Sequence, residues 1–272
     1  MATDKKTPGI FVMMLRAQDV HPNEGWVPSE LRRCVVFLHG WLQSHTSWLA
    51  TAHRVRERFG HDCLLLDWPA HGLSDVPPDP TSLTATSLVE CLHELLERSC
   101  WVGQRRITLA ACSLGGAVAM RYTSLYPDDI DRLVLVAPAG FDEPWHRVSR
   151  VGPVLSRLRK WAVLPGRARA FLSVIRNTPR YGNAQDWFDS EAARSKPTLL
   201  INATLDGLHR ADNWSGCRAD DATFRKRTLP LSHSLLCVLI SQLRLDLDSY
   251  AWHGALLDAG IQPGEVVMRA RL

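Results

Sequence analysis

No run of this sequence approaches the ~18 uninterrupted apolar residues that a bilayer-crossing helix needs, so none is expected. The opening Met-Ala-Thr-Asp-Lys-Lys lacks the apolar centre of a secretion signal, and a non-secreted protein is the expectation. There is no C-x-x-C or C-x-x-H spacing to nominate a zinc site. The seven cysteines (34, 63, 91, 100, 112, 217 and 237) are odd in number and irregularly spaced, which excludes a fully paired disulfide framework. Several stand in apolar runs such as Cys34-Val-Val-Phe and Cys63-Leu-Leu-Leu, so buried thiols in a reducing compartment are expected. Neither sign of charge dominates. With 32 Lys and Arg against 28 Asp and Glu, the net charge of +4 is too small to imply nucleic acid, and no recognition-helix or RNP-like motif accompanies it. Internal repeats and low-complexity tracts are also missing, so function must reside in local motifs.

What is present is ordinary globular material, 46% hydrophobic and 22% charged over 272 residues. That length suits one core with an excursion, a single domain over residues 1–272. Short apolar runs alternate with amphipathic stretches, which predicts an α/β fold with a mostly parallel central sheet flanked by helices. Strands are expected near residues 9–16, 33–38, 62–67, 106–112, 131–137, 197–203 and 223–229, and helices near 46–58, 82–100, 114–126 and 234–251. Between Leu133-Val-Leu-Val-Ala and Thr198-Leu-Leu-Ile-Asn lie about 60 residues of helical periodicity broken by prolines. Residues 142–195 are therefore expected to form a helical lid inserted before the next strand.

The run Ile107-Thr-Leu-Ala-Ala-Cys-Ser113-Leu-Gly-Gly-Ala reads as a β-branched strand, a sharp turn carrying one serine, and an Ala-rich helix. A strand-to-helix elbow strains the serine backbone and demands small residues two before and two after it, here Ala111 and Gly115. The turn would leave the Leu114 amide unpaired at the helix start, aimed where a tetrahedral oxyanion forms. A serine between small residues is also a common helix cap, so the pentapeptide does not decide the matter alone.

Nucleophilic serine chemistry further needs a base, a carboxylate to orient it and a second oxyanion donor. Each is expected at the carboxyl end of a strand. Asp206 follows the strand ending at Ala203, His233 follows the last strand, and Trp41 follows Val35-Val-Phe-Leu-His39-Gly40. The order nucleophile, acid, histidine is that of the α/β-hydrolases. The sequence resembles the alpha/beta-hydrolase-1 group through His39-Gly40-Trp41, through Asp67-Trp-Pro-Ala-His-Gly72-Leu-Ser74 and through the Ser113 elbow, over about residues 9 to 255. That resemblance implies Ser113 as nucleophile, His233 as general base, Asp206 as its partner, and the amides of Trp41 and Leu114 as the oxyanion hole. It depends on no metal and no cofactor. Ala70, Ala111 and Ser232 stand where the family usually has glycine.

Alternatives remain at this point. Asp142 could replace Asp206, because some members place their carboxylate after the preceding strand. His39 and His71, in turns beside glycines, read as structural hydrogen bonders. His209 and Asp212 flank Asp206 at helical spacing but lack a third ligand, so a solvated face is preferred to a metal pair. Cys112 is expected to pack under the elbow. Between Pro144 and Gln185 nine Lys or Arg residues (147, 150, 157, 159, 160, 167, 169, 176 and 180) occur with no Asp or Glu, beside an apolar stripe of Val151, Val154, Leu155, Leu158 and Trp161. A basic lid suits an apolar acyl substrate with an anionic head, a transient membrane surface, or simply solvent. The terminal Ala270-Arg271-Leu272 is similar to the peroxisomal address, giving a cytoplasmic or peroxisomal location and, in the second case, an import-receptor partner. The expected activity is cleavage of a carboxylic ester or thioester through an acyl-enzyme. Carbon–carbon bond hydrolysis, a lyase step and a non-catalytic ligand-binding homologue are the rivals.

Overall fold

The computed structural model describes residues 9–17, 33–99, 102, 107–140, 166–177, 183–206, 221 and 223–231. Among these residues seven strands form one sheet: β1 (Val12–Leu15), β2 (Cys34–Leu38), β3 (Asp62–Leu66), β4 (Ile107–Cys112), β5 (Ile130–Val136), β6 (Thr198–Ala203) and β7 (Phe224–Leu229). The spatial order is β1-β3-β2-β4-β5-β6-β7. Only β1 runs antiparallel to its neighbour; every other pair is parallel. Among the described residues the helices are α1 (Leu49–Phe59), α2 (Ala85–Arg98), α3 (Leu114–Leu125), and, between β5 and β6, α4 (Arg167–Asn177), α5 (Asn183–Asp189) and α6 (Glu191–Arg194).

The central strands are apolar at nearly every position because both faces of a parallel sheet are covered. All five residues of β2 and all six of β4 are buried. One face packs Val36, Leu38, Leu109 and Leu135 against Leu88, Leu92, Val118 and Tyr122 of α2 and α3. The other packs Val35, Phe37, Cys63 and Val134 against Ala52, Val55 and Phe59 of α1. Cys34, Cys63 and Cys112 are buried and outside any disulfide, while Cys91 is half-buried. At the sheet margin β7 exposes Arg225, Lys226 and Arg227. Charged residues on an edge strand discourage pairing with another chain.

Helix starts lie later than periodicity suggested, for local reasons. Residues 45–47 and 80–82 wind as single tight 3-10 turns ahead of α1 and α2. Helix α2 begins at Ala85 because Thr84 and Ser87 form a reciprocal capping box, satisfying two amides at that point. The expected helix at 234–251, most of the 142–195 lid, Asp142, His209, Asp212, Ser232, His233 and the C-terminal tripeptide lie outside the described residues. No described helix is long and apolar enough to cross a membrane.

Candidate active site

Parallel strands of an α/β sheet deliver their following turns to one edge, and strained backbone gathers there. Among the described residues, the non-glycine residues with positive φ are Leu42, Ala70, Ser113 and Ala137, one in each turn after β2, β3, β4 and β5. Such conformations cost on the order of 1–3 kcal/mol and persist only where the surroundings over-determine them. Ser113, at φ 51° and ψ −116°, joins β4 directly to α3. Its N–H donates to the Val136 carbonyl at 3.0 Å, and its own carbonyl accepts from Gly116 and Ala139, both at 2.9 Å. The elbow is thus bolted to β5 on both sides.

The neighbouring small residues have steric causes. A Cβ on Gly115 would lie 2.5 Å from the Leu38 carbonyl oxygen, and one on Gly116 would lie 2.5 Å from Pro138 Cβ. Helix α3 therefore approaches the end of β2 only with glycine at 115. Ala111, by contrast, is a regular strand residue paired with Leu38 and Leu135, and its methyl is fully enclosed. Ala70 occupies the left-handed region at φ 66°, which is the physical reason glycine suits that position.

The turn after β2 faces the elbow. A Cβ on Gly40 would stand 3.1 Å from Ser113 Cβ and 2.8 Å from Gln43 Oε1, so the Gly40 backbone packs closely against the elbow. The Gly40 carbonyl is held by two donors, Nδ1–H of His39 at 2.7 Å and the Gln43 N–H at 3.3 Å. Because a trans peptide places the next N–H opposite that carbonyl, the Trp41 amide is directed away from the His39 ring. The His39 tautomer is fixed as well: Nε2 accepts from the Trp68 N–H at 3.0 Å, which leaves the proton on Nδ1. Burial, assisted by the neighbouring His71, holds the His39 pKa well below the usual imidazole value, so the ring is neutral. Leu114, the first residue of α3, has an amide with no intrahelical acceptor.

A buried carboxylate secures the adjacent turn. Asp67 accepts from the Leu73 N–H at 2.8 Å, from His45 Nδ1 at 2.9 Å and from the His45 N–H. Gly72, at φ 48°, is required because a Cβ there would lie 2.0 Å from Asp67 Oδ2. Ser74 Oγ donates to the Asp67 carbonyl and accepts from the Phe11 N–H, tying the turn to the strand edge. The motif Asp67 to Ser74 and a hydrogen-bonding role for His39 were legible in the sequence, but the anchoring roles of Asp67 and His45 were not. A histidine or aspartate ending an apolar strand just before a glycine turn is the signal that points to His39 and Asp67.

On the far side, Asp206 is 5% exposed in a tight turn after β6, its N–H donating to the Ala203 carbonyl at 3.3 Å. The preceding Leu205 N–H donates to the Leu231 carbonyl at 2.9 Å, and Thr204 N–H to that of Leu229 at 2.8 Å. Chain two residues short of His233 is therefore paired beside Asp206. Cys112 is buried on the α1 face of the sheet. Trp48 and Trp68 are structural: their indole N–H groups donate to the carbonyls of Leu38 and His39.

A family model described as alpha/beta hydrolase fold matches residues 33–153. The chain is 28% identical to a protein of Mycobacterium tuberculosis over 137 residues, 48% of this chain and 38% of that one. It is 31% identical to a monoacylglycerol lipase of Xenopus laevis over 111 residues, 40% of this chain and 32% of that one. The chain thus spans well under half the length of the curated relatives it matches. Among solved structures, the α/β-hydrolase MGS-M2 from a deep-sea metagenome superposes with a TM-score of 0.63 at 16% identity, over 96% of this chain and 98% of that one. The seven-stranded, mostly parallel sheet, its strained elbow and these matches together show that the chain has the α/β-hydrolase fold.

Proposed function

We propose that the protein is a serine hydrolase that cleaves a carboxylic ester or thioester. The observation that carries this reading is the Ser113 elbow: a serine held at positive φ on a central strand, facing a glycine backbone across the turn. Strain of this kind gathers at sites where a side chain must be presented in one orientation. Ser113 attacks the acyl carbonyl while His233, oriented by Asp206, takes the hydroxyl proton. The amides of Trp41 and Leu114 receive the developing oxyanion, and the pinned Gly40 carbonyl keeps the first of them in place before substrate arrives. Loss of the alcohol or thiol leaves an acyl-enzyme. Water activated by His233 then releases the acid and restores Ser113.

The similarity to the Xenopus monoacylglycerol lipase supports a lipid-like acyl group. The nine cations between Pro144 and Gln185 suit an anionic end on the same molecule. The test is hydrolysis of p-nitrophenyl esters of increasing acyl length by wild type and Ser113→Ala. Turnover by wild type and a loss of at least about 10⁴-fold in the variant, with its melting temperature kept, is expected. Equal turnover by both proteins would refute the nucleophile assignment.

A further inference from the structure

Buried polar atoms without partners are rare in folded proteins. Two of those among the described residues lie on one seam, where α4 meets the turn after β3. His71 is 1% exposed, and its Nδ1–H donates to the Pro69 carbonyl at 3.0 Å. Its Nε2 is left as an enclosed acceptor with nothing to accept from. Arg167, at the start of α4, donates from Nη2 to the Gly72 carbonyl at 2.7 Å, while its enclosed Nε–H has no acceptor.

The seam is contiguous with the elbow. The Phe171 ring of α4 lies 4.7 Å from the His71 ring, which lies 5.3 Å from that of His39. His39 adjoins Gly40, which abuts Ser113. It is also preorganised, because Ser173 Oγ on α4 donates to the Thr81 carbonyl at 2.6 Å. Burial, only partly offset by the Pro69 carbonyl and Asp67, brings the His71 pKa down to about 4, so its lone pair is available at neutral pH.

The chemistry of the bare atoms restricts what can fill them. A neutral imidazole nitrogen only accepts, and a guanidinium only donates. A carboxylate would satisfy Arg167 but face the His71 lone pair; an ammonium would satisfy His71 and repel Arg167. A hydroxyl does both. We propose that this seam is a hydroxyl-recognition subsite for an ester whose alcohol portion carries free hydroxyls, the hydroxyl donating to His71 Nε2 and accepting from Arg167 Nε–H. The inference rests on Ser113 being the nucleophile and specifies the substrate class of that site, with His71 and Arg167 as positioning residues.

The experiment compares kcat/KM for glyceryl monobutyrate and propyl butyrate, which share an acyl group and a three-carbon alcohol. Wild type is expected to prefer the glyceryl ester, and His71→Phe to lower that preference about tenfold, the worth of one buried hydrogen bond. Arg167→Lys, which keeps the charge but not the Nε–H, should lower it in the same direction, and His71→Gln, which restores an acceptor, should recover part of it. An unchanged preference in both His71→Phe and Arg167→Lys would overturn the proposal. So would a parallel loss on both esters with a lower melting temperature, which assigns the seam to an internal water. Wild type that hydrolyses both esters equally overturns the subsite alone. Wild type that hydrolyses neither ester, nor any p-nitrophenyl ester, overturns the hydrolase reading and this inference with it.

Discussion

The turn that carries Ser113 and the turn that carries Asp206 end strands of the same sheet, yet they are built differently. Ser113 follows a strand with parallel neighbours on both sides, and four backbone hydrogen bonds hold its peptide groups to β5, the turn after β5 and α3. Glycines 40 and 115 let two further elements press against it. Asp206 follows β6, whose outer neighbour β7 is the sheet edge and exposes four consecutive residues. Its carboxylate-bearing residue is buried, but Leu205 beside it is 68% exposed. Positive φ is tolerated at Ser113 because the surroundings leave no alternative; the acid turn after β6 has no such residue among those described. The contrast teaches that the fold concentrates its steric precision at the Ser113 turn and leaves Asp206 on a less constrained margin of the sheet.

That contrast can be broken in three ways. The largest effect should come from the acid itself: Asp206→Asn is expected to lower kcat by about 10³- to 10⁴-fold, as a mis-oriented histidine does, whereas Asp142→Asn stays within about tenfold. Steady-state rates on one p-nitrophenyl ester decide this, and the reverse ranking would move the acid to Asp142. Next, the two turns should differ in tolerance to side-chain change. Gly115→Ala drives a methyl to 2.5 Å from a backbone oxygen and should cost about 2–4 kcal/mol in urea denaturation. Leu205→Ala, at an exposed position, should stay within about 0.5 kcal/mol. Equal costs would mean the elbow is less constrained than its geometry states.

The smallest effect is pH-dependent. His39 and His71 both refuse a proton in the folded protein that the unfolded chain accepts below about 6.5. Stability is therefore fully present above that pH and is lost as pH falls, for His71 until about 4. Melting temperatures measured from pH 7 to pH 4 should decline, and His71→Phe should flatten part of that decline. An unaltered slope in the variant would remove His71 from the account.

Much of this was legible beforehand because parallel sheets write plainly. All seven strands were expected near their observed places, since β2, β3, β4 and β6 are buried at every position and read as short, mostly apolar runs. The positions of Ser113 and Asp206 in turns after β4 and β6 followed from the same pattern. Less legible were properties that depend on what packs across a turn. The Thr84 capping box moved a helix start by three residues relative to its periodicity. Ala70 looks like a conservative change from glycine, and only its backbone angle discloses a left-handed residue. His39 was readable as a structural hydrogen bonder, but its specific task, holding the Gly40 carbonyl, needs the Trp68 amide to fix the tautomer. That contact joins residues 29 positions apart, beyond any local pattern.

The central claim is that Ser113 is an activated nucleophile, and covalent labelling tests it most directly. Folded wild-type protein should be treated with a fluorophosphonate and its intact mass and peptide map recorded, beside Ser113→Ala. The account predicts one adduct, mapped to Ser113, formed by wild type and not by the variant. No adduct on the folded wild type, or the same adduct on both proteins, would contradict it.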